Sequence, residues 1–512
     1  MISPVLRFPS GRNFKVESHP SSKEFCLLFL NKETLVSYFR LKKEEIFPCL
    51  LLPLPKNEPW GKKGELVPLI LLSDANRDKT EKLLASYPEL SSSAPFYFLT
   101  PSTKKGYDVE LQNDHLFCYY TLYQDAWYPV SYTPFQGAIV ELEGEKNYDF
   151  IAFGSESNLS VAVLEGSEIH LSPVFGRLLD WQQLEAAHQW MENQKKAFIT
   201  RGVIFHEYYH ESLLHTYLSK YGQKSAYTHT EAHFANVLFD NHFSNTPLLG
   251  IIFDEEDHTS HGTIEGSDIV YGTMGHVSFL ASWRPIPIPG NASTYLEPWR
   301  ITLAVLREIA GDLDELNIPF MNHLRSKEEI RYVISAINKR IINVTSSSSM
   351  THIIVALFEL LDYRALVEEY DMVNKRLDEI FLSQDISPYE VSLIRENNAV
   401  YLDTYDLFKQ VLKDIQEGES SSFILHRAIH SLFANTASLV REYADQYKEK
   451  RVALSGNLFI HPHLLQLMEY HLRKAGLEPL IHRNIPTGDS SVALGALLHI
   501  LARKEAKTSA EE

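Results

Sequence analysis

Cysteine is nearly absent from this chain. Its 512 residues hold only three, Cys26, Cys49 and Cys118, and none belongs to a CxxC pair. That argues against a disulfide framework and against a cysteine-held zinc site, and such sparse thiols fit a reducing compartment, the cytoplasm. Positive charge is the second deficit: 48 Lys and Arg stand against 66 Asp and Glu, a formal net charge of −18. Proteins that grip a phosphate backbone carry the opposite balance, so no nucleic-acid partner is expected. Long apolar runs are missing too. "CLLLPLP" and "LVPLILL" are short and interrupted by Pro, too short to span a bilayer. The opening "MISPVLRFPSGRNF" lacks the basic start and apolar stretch of a secretory leader. No membrane partner is expected. What remains, 44% hydrophobic and 22% charged residues, is the composition of an ordinary globular chain of two or three domains.

Residues 1–146 read as an α+β domain of unknown role, with short apolar runs, many aromatics, and Pro/Ser punctuation at "SSSAPF" and "LTPSTKKGYD". From residue 147 the text changes. "YDFIAFG", "NLSVAVLEG" and "SEIHLSPV" predict three strands, and residues 179–195 have helical periodicity. Strand "RGVIFH", a helix near 211–221, a short strand at 224–228 and helix "TEAHFANVLFD" follow. The second half opens likewise, on strands "PLLGIIFDE", "HGTIEGSDIVYG" and "GHVSFLASW". A long helical stretch is expected over 298–446, then strand "RVALSG", helix "HPHLLQLMEYHLRKAG", strand "EPLIHR" and helix "SVALGALLHILAR". Residues 506–512 read as a polar, frayed tail. Two similar α/β halves, about 147–245 and 246–505, predict two lobes around a cleft.

Histidine is plentiful, at 22 residues, and three pairs stand at i, i+4: His206/His210, His229/His233 and His426/His430. Such spacing puts both imidazoles on one helix face, where both reach one ion, although random placement alone gives roughly one pair. The first pair is also an HExxH, "HEYYH", which on a helix would be a zinc metalloprotease with Glu207 as base. Here the β-branched and aromatic run "AFITRGVIF" leads straight into it and predicts a strand end. The second pair lies in "THTEAHFANVL", a good helix. Asp254 ends the buried strand of "IIFDEEDHTSHGT", and Asp489 opens a helix in "NIPTGDSSVALG". Two imidazoles and two carboxylates suit zinc or iron; the bland alternatives are an N-cap for Asp489 and a loop carboxylate for Asp254.

The segments "THTEAHFANVL", "GIIFDEEDHTSHGTIEG", "PIPIPGNASTYLEPWR", "NVTSSSS", "VALSGNLF" and "HRNIPTGDSSVALG", in this order, resemble the C-terminal carbamoyltransferase domain of the HypF family. More distantly they resemble the tRNA threonylcarbamoyl-transfer ATPases. "FGSESNLSVAVLEG" and "FHEYYHESL" fall where that family has its first glycine loop and a strand-end His/acid turn. The resemblance covers about 350 residues and implies an actin-like ATPase fold, a duplicated ribonuclease H-like α/β architecture, over 147–505. It implies a divalent metal, zinc or iron, held by His229, His233, Asp254 and Asp489 in the cleft. It implies ATP or carbamoyl-adenylate at Gly154, Gly262, Arg300, Ser455 and Gly456, and transfer of a carbamoyl group to the C-terminal thiol of a HypE-like acceptor in nickel–iron hydrogenase maturation.

The chain also departs from the family's pattern. Glu255, Asp257, Asn457, Ser490 and Ser491 stand where glycines are expected, Met350 and Ile353 where Arg and Asp are typical, and Asn158–Leu159 where a Lys–Asn is usual. Residues 1–146 match none of the modules that normally precede the domain. The alternative reading is therefore a catalytically impaired relative that keeps the fold and the metal donors and serves as an assembly or regulatory partner. Under either reading nucleotide binding is expected to be weak.

Overall fold

The computed structural model describes residues 3–511 apart from 23, 43–45, 91–93, 105, 113–114, 147, 156–157, 177–180, 194–201, 208–223, 260–261, 291–296, 311–326, 362–385 and 397–398. The expected helix near 211–221 lies outside the described residues. Two compact units result: Met1–Ala226 with Arg483–Leu497, and Tyr227–His482 with Leu498–Glu512.

The first unit holds two sheets. One has nine strands, in the order Val109–Glu110, Val5–Arg7, Asn13–Glu17, Tyr97–Pro101, Cys26–Phe29, Leu66–Leu71, Cys49–Pro53, Cys118–Tyr123 and Ala126–Tyr132. Its central strands are apolar throughout, and Leu27, Phe29, Leu50, Leu69 and Phe98 pack with Leu35 and Phe39 of helix Lys32–Phe39. Asn31 starts that helix by accepting the Thr34 N–H at 2.9 Å. All three cysteines are buried, and none is in a disulfide. Burial pushes the Cys26 thiol up to about 12, far from the thiolate that redox or nucleophilic work requires.

The second sheet runs Glu168–Leu171, Val161–Glu165, Phe150–Phe153, Gly202–His206 and Lys224–Tyr227, with Ala138–Glu141 on its outer edge. The first three of these strands are antiparallel neighbours, and Phe150–Phe153 is parallel to Gly202–His206. Helix Trp181–Asn193 packs Leu184, Ala187 and Met191 on it, spacings that lie along one helical stripe.

The second unit repeats the order. His276–Trp283, Thr263–Thr273, Leu248–His258, Arg451–Ser455 and Glu478–Leu480 form a sheet in which the first three are antiparallel and the last two parallel. In both sheets the strands therefore stand third, second, first, fourth, fifth in chain order, the duplication that the two similar halves of the sequence predict.

Two expectations are corrected here. The stretch 298–446 is not helical throughout. Val344–Ser347 and Ala399–Leu402 join the sheet as strands, and Val, Thr and Tyr there favour extended backbone. Among the described residues its helices are Trp299–Ala310, Lys327–Asn338, Met350–Leu360, Thr404–Glu417 and Ser421–Tyr447. The C-terminal tail is not frayed: helix Val492–Glu511 runs through it, carried by Ala, Lys and Glu, all good helix formers.

Candidate metal centre

Helix His229–Asp240 starts at a capping box. The Thr228 hydroxyl accepts the Glu231 N–H at 3.3 Å, and the Glu231 carboxylate accepts the Thr228 N–H at 2.8 Å. That fixes where the helix begins, hence which face its first turns present. The i, i+4 spacing then sets the rings of His229 and His233 4.8 Å apart. Burial would raise the Glu231 carboxyl, but His499 and the Thr228 N–H hold it below the ordinary value. The cap therefore stays charged.

The helix lies close on strand Leu248–His258 because Gly250 offers no side chain. A Cβ there would sit 2.6 Å from the Phe234 ring. Asp254 follows on the same strand, where pairing with Thr263–Thr273 loses register between Phe253 and Asp257. Such irregularities bend a strand and re-aim its side chains. Asp254 Oδ2 consequently lies 2.9 Å from His229 Nε2 and 3.0 Å from His233 Nε2. All three side chains are buried. The other oxygen is committed to backbone: Oδ1 accepts the N–H of Glu255 at 2.8 Å and of Asn457 at 3.3 Å. The carboxylate thus cannot rotate without breaking both bonds. Two imidazole nitrogens and one carboxylate oxygen, converging in a buried place, are a donor set that fits zinc or iron(II).

Gly456, next to this carboxylate, has φ +111°, and a Cβ on it would lie 2.2 Å from the Phe253 carbonyl oxygen. Only glycine permits that conformation and that approach. Ser455 turns its hydroxyl to two rings, 3.2 Å from His233 Nδ1 and 2.9 Å from His482 Nε2. His482 Nδ1 in turn stands 3.6 Å from Asp240 Oδ2. Sequence reading missed His482 and Asp240. The available signal was Asp240 seven residues after His233, two turns along the same face.

The remaining candidates are distributed as follows. Asp489, in the first unit, opens a 3-10 turn, Asp489–Ser491, that leads into the last helix; the Ser155 hydroxyl donates to its Oδ2 at 3.1 Å. Gly154 precedes that serine and donates its N–H to the Ser160 carbonyl at 2.9 Å. Ser490 and Ser491 make structural bonds: the Ser490 hydroxyl accepts the Tyr132 N–H at 2.7 Å, and the Ser491 hydroxyl donates to the Gly488 carbonyl at 3.0 Å. Gly262 is exposed and donates its N–H to the Thr259 carbonyl at 3.0 Å. Arg300, in the first turn of helix Trp299–Ala310, pairs with Glu297 and lies 5.6 Å from the Trp299 ring. His206 ends strand Gly202–His206 and Glu207 follows in a bend, so the first two residues of the HExxH motif do not lie in a helix. His210 lies outside the described residues. His430 faces His471 instead of a third donor, with Nδ1 and Nε2 3.3 Å apart.

Comparison with known proteins follows this geometry. Residues 250–496 match the family model for the carbamoyltransferase, Kae1-like domain, second subdomain. The chain is 26% identical over 287 residues to the carbamoyltransferase HypF of Synechocystis sp., covering 53% of this chain and 36% of that one. It is 24% identical over 268 residues to the carbamoyltransferase HypF of Rhizobium leguminosarum bv. viciae, covering 52% and 34%. The matched part therefore spans about a third of the length of these relatives. A crystal structure of full-length HypF in a phosphate- and nucleotide-bound form superposes with a TM-score of 0.77 at 17% identity, over 99% of this chain and 85% of that one. At that identity the likeness is one of fold, and at 99% of this chain it takes in residues 1–146. The fold is α/β, of the actin-like ATPase class. Among the described residues no helix is long and apolar enough to cross a membrane.

Proposed function

Proceeding from a chain that carries a HypF-like carbamoyltransferase domain, we propose that it moves a carbamoyl group from carbamoyl-adenylate to a protein thiol. The acceptor is a HypE-like protein, the process nickel–iron hydrogenase maturation, and the setting the cytoplasm. The observation that carries this reading is the convergence of His229 Nε2, His233 Nε2 and Asp254 Oδ2 in the second unit. By the family resemblance alone, Asp489 is the proposed fourth donor of a zinc or iron ion. When bound, such an ion would neutralise phosphate charge and orient the leaving AMP.

The chain's own residues supply the rest. Asp254 is held by two backbone N–H groups with one oxygen facing the imidazoles, so the donors are set before any ligand arrives. Gly154, Gly262 and Gly456 are the proposed phosphate-side turns, where backbone N–H groups approach an anion. Arg300 is the proposed fork for phosphate or carbamoyl oxygen. Transfer forms a bond from sulfur to the carbamoyl carbon. It breaks the bond from that carbon to the AMP oxygen, which leaves with the electron pair, while the thiol proton goes to solvent.

A second reading has its own support. Glu255 adjoins Asp254, and Asn457, Ser490 and Ser491 occupy glycine positions, which favours an impaired relative acting as an assembly or regulatory partner. One experiment separates them. The zinc-loaded chain is given carbamoyl-adenylate and the HypE-like acceptor, and intact mass spectrometry looks for one added carbamoyl group. Transfer by the native chain and none by His233→Ala supports the enzyme. A metal-loaded chain that binds the acceptor and transfers nothing supports the partner.

A further inference from the structure

Behind the metal donors of the second unit runs a buried line of polar groups. His233 Nδ1 lies 3.2 Å from Ser455 Oγ, Ser455 Oγ 2.9 Å from His482 Nε2, and His482 Nδ1 3.6 Å from Asp240 Oδ2. Exposure is 0% for His233 and Ser455, 2% for His482 and 5% for Asp240. Three elements contribute: helix His229–Asp240 at both ends, the last residue of strand Arg451–Ser455, and the segment just after strand Glu478–Leu480.

We propose that His482 is a positioning residue of the metal centre: through the Ser455 hydroxyl it selects the tautomer and ring orientation in which His233 offers Nε2 to a metal, with Asp240 behind it setting the direction. The inference rests on the metal-centre reading above and deepens it.

Counting protons fixes the direction of the line. A serine hydroxyl has one to give. If His233 presents an unprotonated Nε2, its proton is on Nδ1 and is donated to Ser455 Oγ. The Ser455 proton then goes to His482 Nε2, which must be an acceptor, so the His482 proton sits on Nδ1. That is the side facing Asp240, where a carboxylate favours it. This assignment fits the three distances along the line and leaves Nε2 of His233 unprotonated, the form a metal requires.

Run in reverse, the same line puts a proton on His233 Nε2. That nitrogen is 3.0 Å from Asp254 Oδ2, where it would form a His–Asp hydrogen bond and refuse a metal. The charge of Asp240 biases the choice toward the metal-competent direction. Outer partners of this kind orient ligating histidines, and their loss typically weakens metal affinity about 10- to 100-fold.

The test uses Co(II) as probe, on the full chain, reading affinity by competition and ligand geometry from visible absorption. The variants are His482→Phe, which keeps ring volume without nitrogen, Ser455→Ala, Ser455→Thr, and His229→Ala as the donor control. Ser455→Ala and His482→Phe are expected to weaken Co(II) binding about 10- to 100-fold and to change its absorption, while Ser455→Thr restores both. His229→Ala should abolish binding. If His482→Phe does not fold, Ser455→Ala with its Thr rescue decides alone. The inference is overturned if both variants bind Co(II) indistinguishably from the native chain while His229→Ala does not bind; the metal reading then stands. A native chain that takes up no Co(II) overturns the metal reading and this inference together.

Discussion

Asp254 Oδ1 accepts the backbone N–H of Asn457 at 3.3 Å. The contact is made by main chain, so it does not depend on the side chain that residue 457 carries. It also splits the carboxylate's work, with one oxygen for local structure and the other for the imidazoles. Asp254→Ala should lower the unfolding free energy of the metal-free chain by about 1–3 kcal/mol, because buried N–H groups lose their acceptor. Asp254→Asn keeps a carbonyl oxygen for them and should recover most of that stability, yet bind Co(II) far more weakly than the native chain. Denaturant midpoints and Co(II) titration read the two effects separately. Equal stability for the two variants would show that Oδ1 has no structural role.

Gly456 and Gly262, both proposed for the phosphate side, differ in what an added methyl group meets. At Gly456 it would strike the Phe253 carbonyl, and φ is +111°; at Gly262 φ is +77° and nothing lies within 4 Å. Gly262→Ala should therefore cost about 1–2 kcal/mol, the ordinary penalty of left-handed backbone. Gly456→Ala should cost more than that, through strain and a clash with main chain that no rotamer relieves. Urea midpoints of both variants check the order. A milder effect at Gly456 would mean that the strand end gives way easily.

Those contrasts show what was legible in the sequence. Strands such as Phe150–Phe153 and Leu248–His258 announce themselves by apolar runs, and helix His229–Asp240 by small and apolar residues after a Thr–x–x–Glu cap. The His229/His233 spacing is local, so it survives translation into a shared helix face. Asp254 at a strand end is local too. What depends on distant chain is not legible. Val344–Ser347 becomes a strand because Thr263–Thr273 has an edge for it, and no periodicity in "NVTSSSS" says so. Ser455 reads as a ligand-binding residue beside a glycine, but the fold aims its hydroxyl at His233 and His482, the latter 27 residues on. Met350, where the resemblance led to the expectation of Arg, is buried in the first turn of helix Met350–Leu360, a packing role that no local pattern announces.

Nucleotide affinity follows from the same substitutions. Glu255 and Asp257 follow Asp254 by one and three residues in the sequence of strand Leu248–His258 and add two negative charges to it. At roughly 5 Å and an effective dielectric near 20, each like-charge contact with a phosphate costs about 3 kcal/mol before screening. ATP should therefore bind weakly to the metal-loaded chain, and Glu255→Gly/Asp257→Gly should tighten it by roughly tenfold or more, about 1.4 kcal/mol or above. Calorimetric titration measures both. Low-micromolar binding by the native chain, with no gain in the double variant, would remove the electrostatic argument.

The last prediction concerns acid. His430, on helix Ser421–Tyr447, and His471, on helix Pro462–Lys474, share one hydrogen bond between rings, Nδ1 to Nε2 at 3.3 Å. Burial first, then the nearby positive groups, His426 and Lys474 for His430, lower its value from 6.5 to about 4; burial, then His430 and Lys474, lower His471 from 6.5 to about 3. Both are thus neutral in the folded chain at pH values where the unfolded chain has protonated them. Stability from this pair is fully present above about 6.5 and is lost as pH falls toward 4 and then 3, since the unfolded state binds the extra protons. Each excess proton contributes a slope of about 1.4 kcal/mol per pH unit. His430→Leu/His471→Leu removes both sites and replaces a polar contact between two helices with apolar packing. Unfolding free energies of the metal-free chain, measured by urea across this range, should fall on acidification in the native protein. They should fall less steeply in the double variant, with the two curves converging or crossing at the acid end. Parallel curves would mean that the pair titrates alike in both states and that its burial does not couple to pH.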